Sequence, residues 1–183
     1  MAQPLNIMLA GFGGQGILFA GKIIAYAGLI DEREVSWLPS YGPEMRGGTA
    51  NCSVCLSDEP IGSPLVTEPD ALIAMNLPSY ERFIDDVVPG GVVVVDSSMV
   101  GACTMRHDIE YYTVPATSLA EENGLKGLAN VICVGKLLEA TGFSTEEVCK
   151  QAIDKSVPAS KAQLKDANKR ALEIGEAWTA SVC

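Results

Sequence analysis

The chain has 183 residues, 48% hydrophobic and 20% charged, which suits one domain with a sizeable core and is too short for two comfortable ones. Its 23 acidic and 13 basic residues give a formal charge of −10, which argues against nucleic acid and anionic membranes as partners. No apolar run approaches the roughly 20 residues of a membrane span, and the N-terminus shows no signal peptide. We expect one cytoplasmic domain over residues 1–183, with its six cysteines reduced.

A glycine-rich turn separates a predicted strand at residues 5–9 from a predicted helix that begins near residue 15. The turn comprises Gly11, Phe12, Gly13, Gly14, Gln15 and Gly16 and matches the pattern G-x-G-x-x-G. A helix that starts there directs unpaired N–H groups and the positive end of its dipole toward an anion. Two interpretations stay open: a phosphate cradle, or a tight turn in which glycine merely allows close packing. NAD binding is disfavoured, because the acidic residue expected about 20 positions later is missing.

A second loop, residues 39–48, contains three glycines and two prolines and lies between strands predicted at 34–38 and 49–56. Loops held by a rigid sheet often carry function. Arg46 could bind a phosphate or carboxylate through two hydrogen bonds, or it could form a salt bridge with Glu44 that folds the loop. The candidate binding residues in this loop are Tyr41, Gly42, Glu44, Met45, Arg46, Gly47 and Gly48.

The cysteine pair and the single histidine are better explained by structural positions than by metal binding or catalysis. Cys52 and Cys55 form a C-x-x-C pattern, but a metal site would need a second pair or a histidine partner. Both lie in a predicted strand, where residues three apart point to opposite faces. The single histidine, His107, falls in a polar turn and is expected to be exposed.

The middle of the chain reads as alternating strands and helices. A buried strand at residues 71–75 ends at Asn76, and a short helix over 79–88 is expected to begin with Ser79 as its N-cap. The valine run that ends at Asp96 predicts a central strand buried on both faces. A further strand is expected over residues 109–114.

Helices dominate the last third. Thr117 or Ser118 is expected to cap a short helix, and residues 128–140 form a strongly helical segment that ends at Gly142. Ser144 and Glu147 match a capping box for the next helix. Residues 160–177 are expected to form one long amphipathic helix.

These elements predict a three-layer α/β domain with a mostly parallel sheet, a Rossmann-like glycine turn after the first strand and a helical C-terminal third. Ligands of such sheets bind at the carboxyl ends of the strands. The turns at 11–16, 41–48, Asn76 and 96–98 should therefore share one edge of the sheet, and Asn76 joins the candidate binding residues.

The glycine turn 11–16, the segment 37–51 (WLPSYGPEMRGGTAN) and the segment 73–76 (IAMN) together resemble the gamma subunit of 2-oxoacid:ferredoxin oxidoreductases. The helices containing Ala129-Asn130 and residues 164–168 are similar to that family as well, so the resemblance covers nearly the whole chain. The form of the 41–46 segment is more similar to the 2-oxoglutarate and branched-chain 2-oxoacid enzymes than to the pyruvate enzymes. Cys52 and Cys55 are not explained by the family pattern.

The resemblance implies a multi-subunit enzyme that oxidatively decarboxylates a 2-oxoacid to an acyl-CoA. Thiamine diphosphate, magnesium and iron–sulfur clusters would be held by other chains, and ferredoxin would take the electrons. This chain would bind no cofactor alone and would supply no catalytic residue. Alpha and beta subunits are the implied partners, with a delta subunit as a further candidate. Its loops would line the coenzyme A or thiamine pocket. The alternatives are a stand-alone Rossmann-type nucleotide-binding enzyme and a purely structural subunit.

Overall fold

The computed structural model describes residues 4–40, 49–101, 103 and 106–179. Within them, a six-stranded sheet lies between two layers of helices. The strands are β1 (Leu5–Phe12), β2 (Glu34–Ser40), β3 (Thr49–Ser57), β4 (Ala71–Ala74), β5 (Val92–Asp96) and β6 (Glu110–Val114). The helices are α1 (Ile17–Ile30), α2 (Leu77–Phe83), α3 (Ser97–Val100), α4 (Ala116–Glu122), α5 (Ala129–Thr141), α6 (Glu146–Ser156) and α7 (Lys165–Ala177). The predicted three-layer α/β architecture is confirmed.

The strand order is β2-β3-β1-β4-β5-β6. Strands β1, β4, β5 and β6 pair in parallel, whereas β3 pairs antiparallel with both β1 and β2. It follows that β2 points the same way as β1, and β3 is the one reversed strand of this sheet. The prediction of a mostly parallel sheet is therefore correct.

One face of the sheet carries the larger core, which is covered by α1, α4, α5, α6 and α7. Helices α5 and α7 cross closely because Gly135 and Gly175 have no side chains: a Cβ at Gly135 would overlap the Leu172 carbonyl, and one at Gly175 would overlap the Ile132 carbonyl. The crossing thus depends on two backbones in direct contact. No helix in the described part of the chain combines the length and apolarity that crossing a bilayer requires.

The other face carries a smaller core under α2, α3 and the short 3₁₀ segment Ile84–Asp86. The predicted central strand β5 contributes to both cores, with Val94 on the larger side and Val93 and Val95 on the smaller side. Cys52 and Cys55 divide in the same way and are 0% and 4% exposed. The expectation that this pair points to opposite faces of a strand is confirmed.

Three predicted helix starts are wrong. Helix α2 is capped by Asn76, whose Oδ1 accepts from the Ser79 N–H at 2.9 Å, so Ser79 lies inside the first turn. Helix α6 is capped by Thr145, and the expected cap Ser144 instead donates its hydroxyl to Asp31 on the far end of α1. Helix α4 begins at Ala116 with Pro115 at the N-cap position and no side-chain cap, so the expected caps Thr117 and Ser118 lie inside its first turn.

The last predicted helix, residues 160–177, is interrupted. A 3₁₀ segment, Ala159–Leu164, precedes α7, and Lys161 departs from helical geometry within it. The short helix α3 was not predicted at all. It forms because Asp96 ends β5 and its carboxylate accepts from the Ser98 N–H at 3.1 Å.

Candidate functional site

The carboxyl ends of β1, β2, β4 and β5 meet at one edge of the sheet, as predicted. Because β3 is reversed, its first residue lies at this edge too: Thr49 is the register partner of Phe12, and Asn51 is the partner of Ser40. Residues 41–48, which hold the candidates Tyr41 to Gly48, lie outside the described part. The two residues that flank them, Ser40 and Thr49, are both at the edge that carries the glycine turn.

The glycine turn reverses the chain between β1 and α1. The Gln15 N–H donates to the Phe12 carbonyl at 3.1 Å, which closes a β-turn. Gly14 and Gly16 adopt φ angles of 95° and 74°, a left-handed region that side-chain-bearing residues rarely occupy. Gly16 is the N-cap of α1, so the helix begins at Ile17, two residues after the predicted start near residue 15.

The Gln15 side chain ties this turn to the neighbouring strand. Its Oε1 accepts from the Phe12 N–H at 2.6 Å and from Asn76 Nδ2 at 3.0 Å, and its Nε2 donates to the Met75 carbonyl at 3.0 Å. Asn76 is only 1% exposed and also caps α2. Gln15 and Asn76 therefore fix the turn against β4 and α2, which is a positioning role.

Gly11 and Gly16, the first and last glycines of the turn, make room for the protein's own side chains. A Cβ at Gly11 would lie 2.7 Å from Ile17 Cδ1 and 2.8 Å from Gln15 Oε1. A Cβ at Gly16 would lie 2.5 Å from Asn130 Nδ2, which donates to the Gly16 carbonyl at 2.9 Å. Gly14 differs: it is exposed, and nothing lies within 4 Å of its Cβ position. The Gly14 side of the turn therefore offers space to a ligand from outside.

A cavity of about 260 Å³, here called the strand-end cleft, lies beside that open side of the turn. Its lining residues are Gly14, Gln15, Met75, Met99, Thr117, Ala120, Glu121, Lys126, Gly127 and Ala129. The exposed Lys126 supplies a positive charge and Glu121 a negative one. The carboxylate of Asp96 near this edge is not free, because it is 0% exposed and accepts from Thr117 Oγ1 at 2.5 Å.

A larger cavity of about 470 Å³, here called the helix cleft, lies on the α1 side of the turn. Its lining residues are Gly16, Leu18, Phe19, Lys22, Trp37, Gly127, Leu128, Asn130, Ser156, Val157, Pro158, Lys161, Leu164 and Asn168. The two clefts share Gly127; Gly14 and Gln15 line the strand-end cleft, and Gly16 lines the helix cleft. The turn is thus bordered by two cavities.

Three buried thiols, those of Cys52, Cys133 and Cys149, are poor nucleophiles. Burial raises the pKa of Cys52 to about 12, against a weaker opposing effect of its hydrogen bond with Trp37, and burial likewise raises the pKa of Cys149 to about 12. Burial also raises the pKa of Cys133 well above the ordinary value. Such thiols stay protonated, so they do not fit the thiolate ligands of an iron–sulfur cluster. His107 is exposed in a turn, as expected.

Sequence reasoning missed the contribution of the α4–α5 region. Lys126, Gly127 and Asn130 line the clefts, and Asn130 packs directly on the glycine turn 114 residues away in the chain. One signal was present: Asn130 is a polar residue within an otherwise apolar run, Ala129 to Val134. A buried polar side chain in such a run has a hydrogen-bond partner elsewhere in the fold.

Known proteins resemble this chain over most of its length. The ketoisovalerate oxidoreductase subunit VorA of Methanothermobacter thermautotrophicus is 41% identical over 95% of this chain, but the match spans only 36% of that relative. The 2-oxoglutarate synthase subunit KorC of Methanocaldococcus jannaschii is 42% identical over 84% of this chain and 83% of its own length. The chain therefore spans about a third of the VorA relative and most of the KorC relative.

A solved structure has the same fold. The gamma subunit of a keto/oxoacid ferredoxin oxidoreductase from Geobacter sulfurreducens superposes with a TM-score of 0.80 at 28% identity, over 93% of this chain and 95% of that one. The family described as pyruvate ferredoxin/flavodoxin oxidoreductase matches residues 6–178. The resemblance noted from the sequence is confirmed: this chain belongs to the pyruvate ferredoxin/flavodoxin oxidoreductase family.

Proposed function

We propose that this chain is the gamma subunit of a 2-oxoacid:ferredoxin oxidoreductase that converts a 2-oxoacid to an acyl-CoA. The observation that carries the proposal is the nearly end-to-end match to a gamma subunit and to a KorC subunit of similar length. The named relatives act on ketoisovalerate or belong to 2-oxoglutarate synthases, so the substrate is one of these two classes of 2-oxoacid. Alpha and beta subunits, with a delta subunit as a further candidate, and ferredoxin complete the proposed reaction system.

In this proposal the edge of the sheet that bears the glycine turn faces the coenzyme A or thiamine pocket of the complex. The open side of the turn at Gly14 and the N-terminus of α1 favour an anion. Gln15 and Asn76 hold the turn in place through their amide hydrogen bonds. Arg46, in the segment outside the described part, is proposed to bind a phosphate or carboxylate of coenzyme A.

The cofactors belong to the partner chains in this proposal. Thiamine diphosphate, when bound there, supplies the carbanion chemistry, and iron–sulfur clusters carry the electrons. The described residues of this chain contain no group of three or more His, Cys, Asp or Glu arranged to hold a metal ion. The contribution of the gamma chain is then to orient a ligand and to exclude water.

The test is co-expression of this chain with the proposed alpha and beta subunits, followed by purification of the complex and an assay of dye reduction. We expect reduction to require the partner chains, a 2-oxoacid and coenzyme A together. Activity from this chain alone, or the absence of co-purifying larger chains, would contradict the proposal. Comparing 2-oxoglutarate with ketoisovalerate in the same assay assigns the substrate class.

A matched pair of variants tests the role of Arg46. Removal of a charged hydrogen-bond donor costs about 1.5–3 kcal/mol, so Arg46→Ala should raise the apparent KM for coenzyme A by about tenfold or more. Arg170→Ala, at an exposed arginine on α7, is the control and should leave that KM unchanged. If the Arg46→Ala complex assembles and its KM for coenzyme A is unchanged, the proposal that Arg46 binds coenzyme A is wrong.

A purely structural subunit is the second candidate. The observation that favours it is the filling of the spaces at Gly11 and Gly16 by Ile17, Gln15 and Asn130. In that case, the glycine turn serves packing, and variants at its open side would alter stability without altering the KM for coenzyme A.

A further inference from the structure

Strand β2 forms one end of the sheet, and the described part of the chain leaves it uncovered. Its strand neighbour among the described residues is β3 alone. Trp37 and Leu38 are adjacent, so they point to opposite faces of the sheet, and each is 39% exposed. The strand carries one charge, at Glu34. Edge strands are normally protected by charges or by a covering element, so an apolar edge exposed on both faces indicates an interface.

Helix α1 lies above the gap between β2 and β3. A Cβ at Gly21 would lie 2.5 Å from Cys52 Sγ of β3 and 3.1 Å from Trp37 Nε1 of β2. Gly28, two helical turns later, faces β2 in the same way, with its Cβ position 2.8 Å from Val35 Cγ2. The helix therefore runs antiparallel to β2 along the outer margin of the sheet.

The outer side of α1 continues the apolar surface of β2. Residues three or four positions apart on this helix share one side, and they line a groove of about 260 Å³ together with two residues of β2. This surface, here called the α1–β2 flank, comprises Lys22, Ala25, Tyr26, Leu29, Val35 and Trp37. Leu29 is 56% exposed. The flank contains a lysine and no carboxylate, so it suits an apolar partner surface that brings a negative charge.

The backbone of β2 can pair with a second β2. Pro39 has no N–H, and proline is accepted in a strand where that position faces away from the neighbouring strand. Val35 and Trp37 share the direction of Pro39, so their backbone groups also point outward. A two-fold axis at Ser36 places Val35 of one copy opposite Trp37 of the other. Such a pair exchanges two hydrogen bonds and joins an aromatic to a β-branched side chain, which stabilises a sheet.

The same axis brings the two α1 helices to packing distance. Adjacent strands are about 4.8 Å apart, so a helix above the β2–β3 gap lies about one strand spacing from the axis, and the two helices lie about 10 Å apart. Packed helices are separated by about 8–10 Å. Ala25, between Gly21 and Gly28, is the small residue nearest the axis. Because the helices are antiparallel, Lys22 of one copy lies toward the exposed Glu32 that follows α1 of the other.

We propose that the α1–β2 flank joins two copies of this chain into a two-fold dimer. The two sheets become continuous through β2, and the two α1 helices pack side by side above the junction. The flank is self-complementary, as a two-fold contact requires, because its apolar residues meet their own copies and the lysine meets the acidic end of the partner helix. This inference does not depend on the proposed function.

Sedimentation equilibrium of the purified full chain tests the dimer. We expect a reversible dimer at micromolar concentrations of the chain. Leu29→Lys removes apolar contact twice, once in each copy, and places a cation near Lys22 of the other copy, so the dimer should weaken about tenfold or more. Met99→Lys is the matched control: Met99 is 43% exposed on α3, which follows β5, and three strands separate β5 from β2. The control should dimerise as the wild type does.

A charge exchange tests the antiparallel arrangement. Lys22→Glu and Glu32→Lys should each weaken the dimer about two- to fivefold, as for an exposed ion pair. The double variant restores opposite charges across the axis and should dimerise more tightly than either single variant. A double variant that is no tighter than the single variants would show that these residues do not meet, and the proposed arrangement would be wrong.

Three further results would overturn the proposal. The chain could remain a monomer up to millimolar concentration, or form a dimer that Leu29→Lys does not weaken. It could also remain a monomer whose α1–β2 flank is protected from hydrogen exchange only when other subunits are added, in which case a different chain covers the flank. The proposed function has a separate test, since a complex that lacks 2-oxoacid-dependent dye reduction contradicts it whether or not this chain dimerises.

Discussion

Two sets of glycines in this molecule meet very different neighbours. At the α5–α7 crossing, Gly135 and Gly175 each face a backbone carbonyl of the opposite helix. At the glycine turn, Gly11 and Gly16 face side chains, and Gly14 faces open space. Side chains can move and backbones in packed helices cannot, so equal substitutions should have unequal effects. A glycine motif in a sequence is therefore informative only once its neighbours are known.

The largest effect is expected at the helix crossing. Gly175→Ala places a methyl group against the Ile132 carbonyl, so α5 and α7 must separate, and we expect a loss of about 3 kcal/mol or more in the free energy of unfolding. Denaturant titration measures this change in the free energy of unfolding. Gly62→Ala is the control, because that glycine is exposed and nothing lies within 4 Å of its Cβ position. Similar stabilities for the two variants would refute the backbone contact.

A smaller loss is expected at the cap of α1. Gly16→Ala combines the cost of a φ angle of 74° with overlap of the Asn130 amide, for a total of about 2 kcal/mol. Adding Asn130→Ala relieves the overlap, so the double variant should be less destabilised than the sum of the single variants. Strict additivity would show that the two residues do not interact.

Gly21 of α1 makes room for the Cys52 thiol, since its Cβ position lies 2.5 Å from Cys52 Sγ. The burial of this thiol can be tested through the pH dependence of stability. The thiol of the unfolded chain ionises near the ordinary cysteine pKa of 9.0, whereas burial raises the pKa of the folded thiol to about 12. Stability from this group is present below pH 9 and is lost as pH rises toward 12. The expected loss by pH 10.5 is about 2 kcal/mol.

Thermal unfolding at pH 8 to 10.5 measures this alkaline loss. Cys52→Ala should show a shallower decline, because the thiol is gone. Val54→Ala, at a neighbouring buried position of β3, controls for the lost volume and should lower stability equally at every pH. Parallel pH profiles for wild type and Cys52→Ala would contradict the assigned cause.

The smallest effect on stability is expected at Gly14, where the φ angle of 95° is the sole obstacle to a side chain. Gly14→Ala should cost about 1 kcal/mol. Gly90→Ala is matched to it, with a φ angle of 79° and equally open surroundings. If the open side of the turn binds coenzyme A, Gly14→Ala alone will raise the KM for it in the complex. Equal KM values for both variants would favour the structural role.

Local sequence patterns predicted most of the elements correctly. The valine run identified β5, and the helix that ends at Gly142 was placed within one residue of α5, because burial periodicity and a left-handed C-cap are local signals. The Asn76 cap was also readable, since Asn followed by Leu77-Pro78 is a helix start with proline in the first turn. The preference for Ser79 overlooked that signal.

Tertiary contacts account for the rest. Ser144 was available as a cap, but Asp31, 113 residues earlier, takes its hydroxyl, and Thr145 caps α6 instead. The helix cleft requires α1, α5, α6 and α7 to converge, which no local pattern specifies. The packing of the glycine turn involves Asn130, which donates to the Gly16 carbonyl from 114 residues later in the chain. The position of the candidate residues in the fold could thus be predicted more easily than the residues that pack against them.

The reversed direction of β3 has a consequence for protein engineering. Since Ser40 ends β2 and Thr49 begins β3 at the same edge, the connecting segment departs from and returns to one place. Residues added between them would lengthen that excursion without shifting the hydrogen-bond register of either strand. A reporter peptide inserted there would consequently be displayed beside the glycine turn, and its accessibility to an antibody before and after assembly would tell whether partner chains cover that edge.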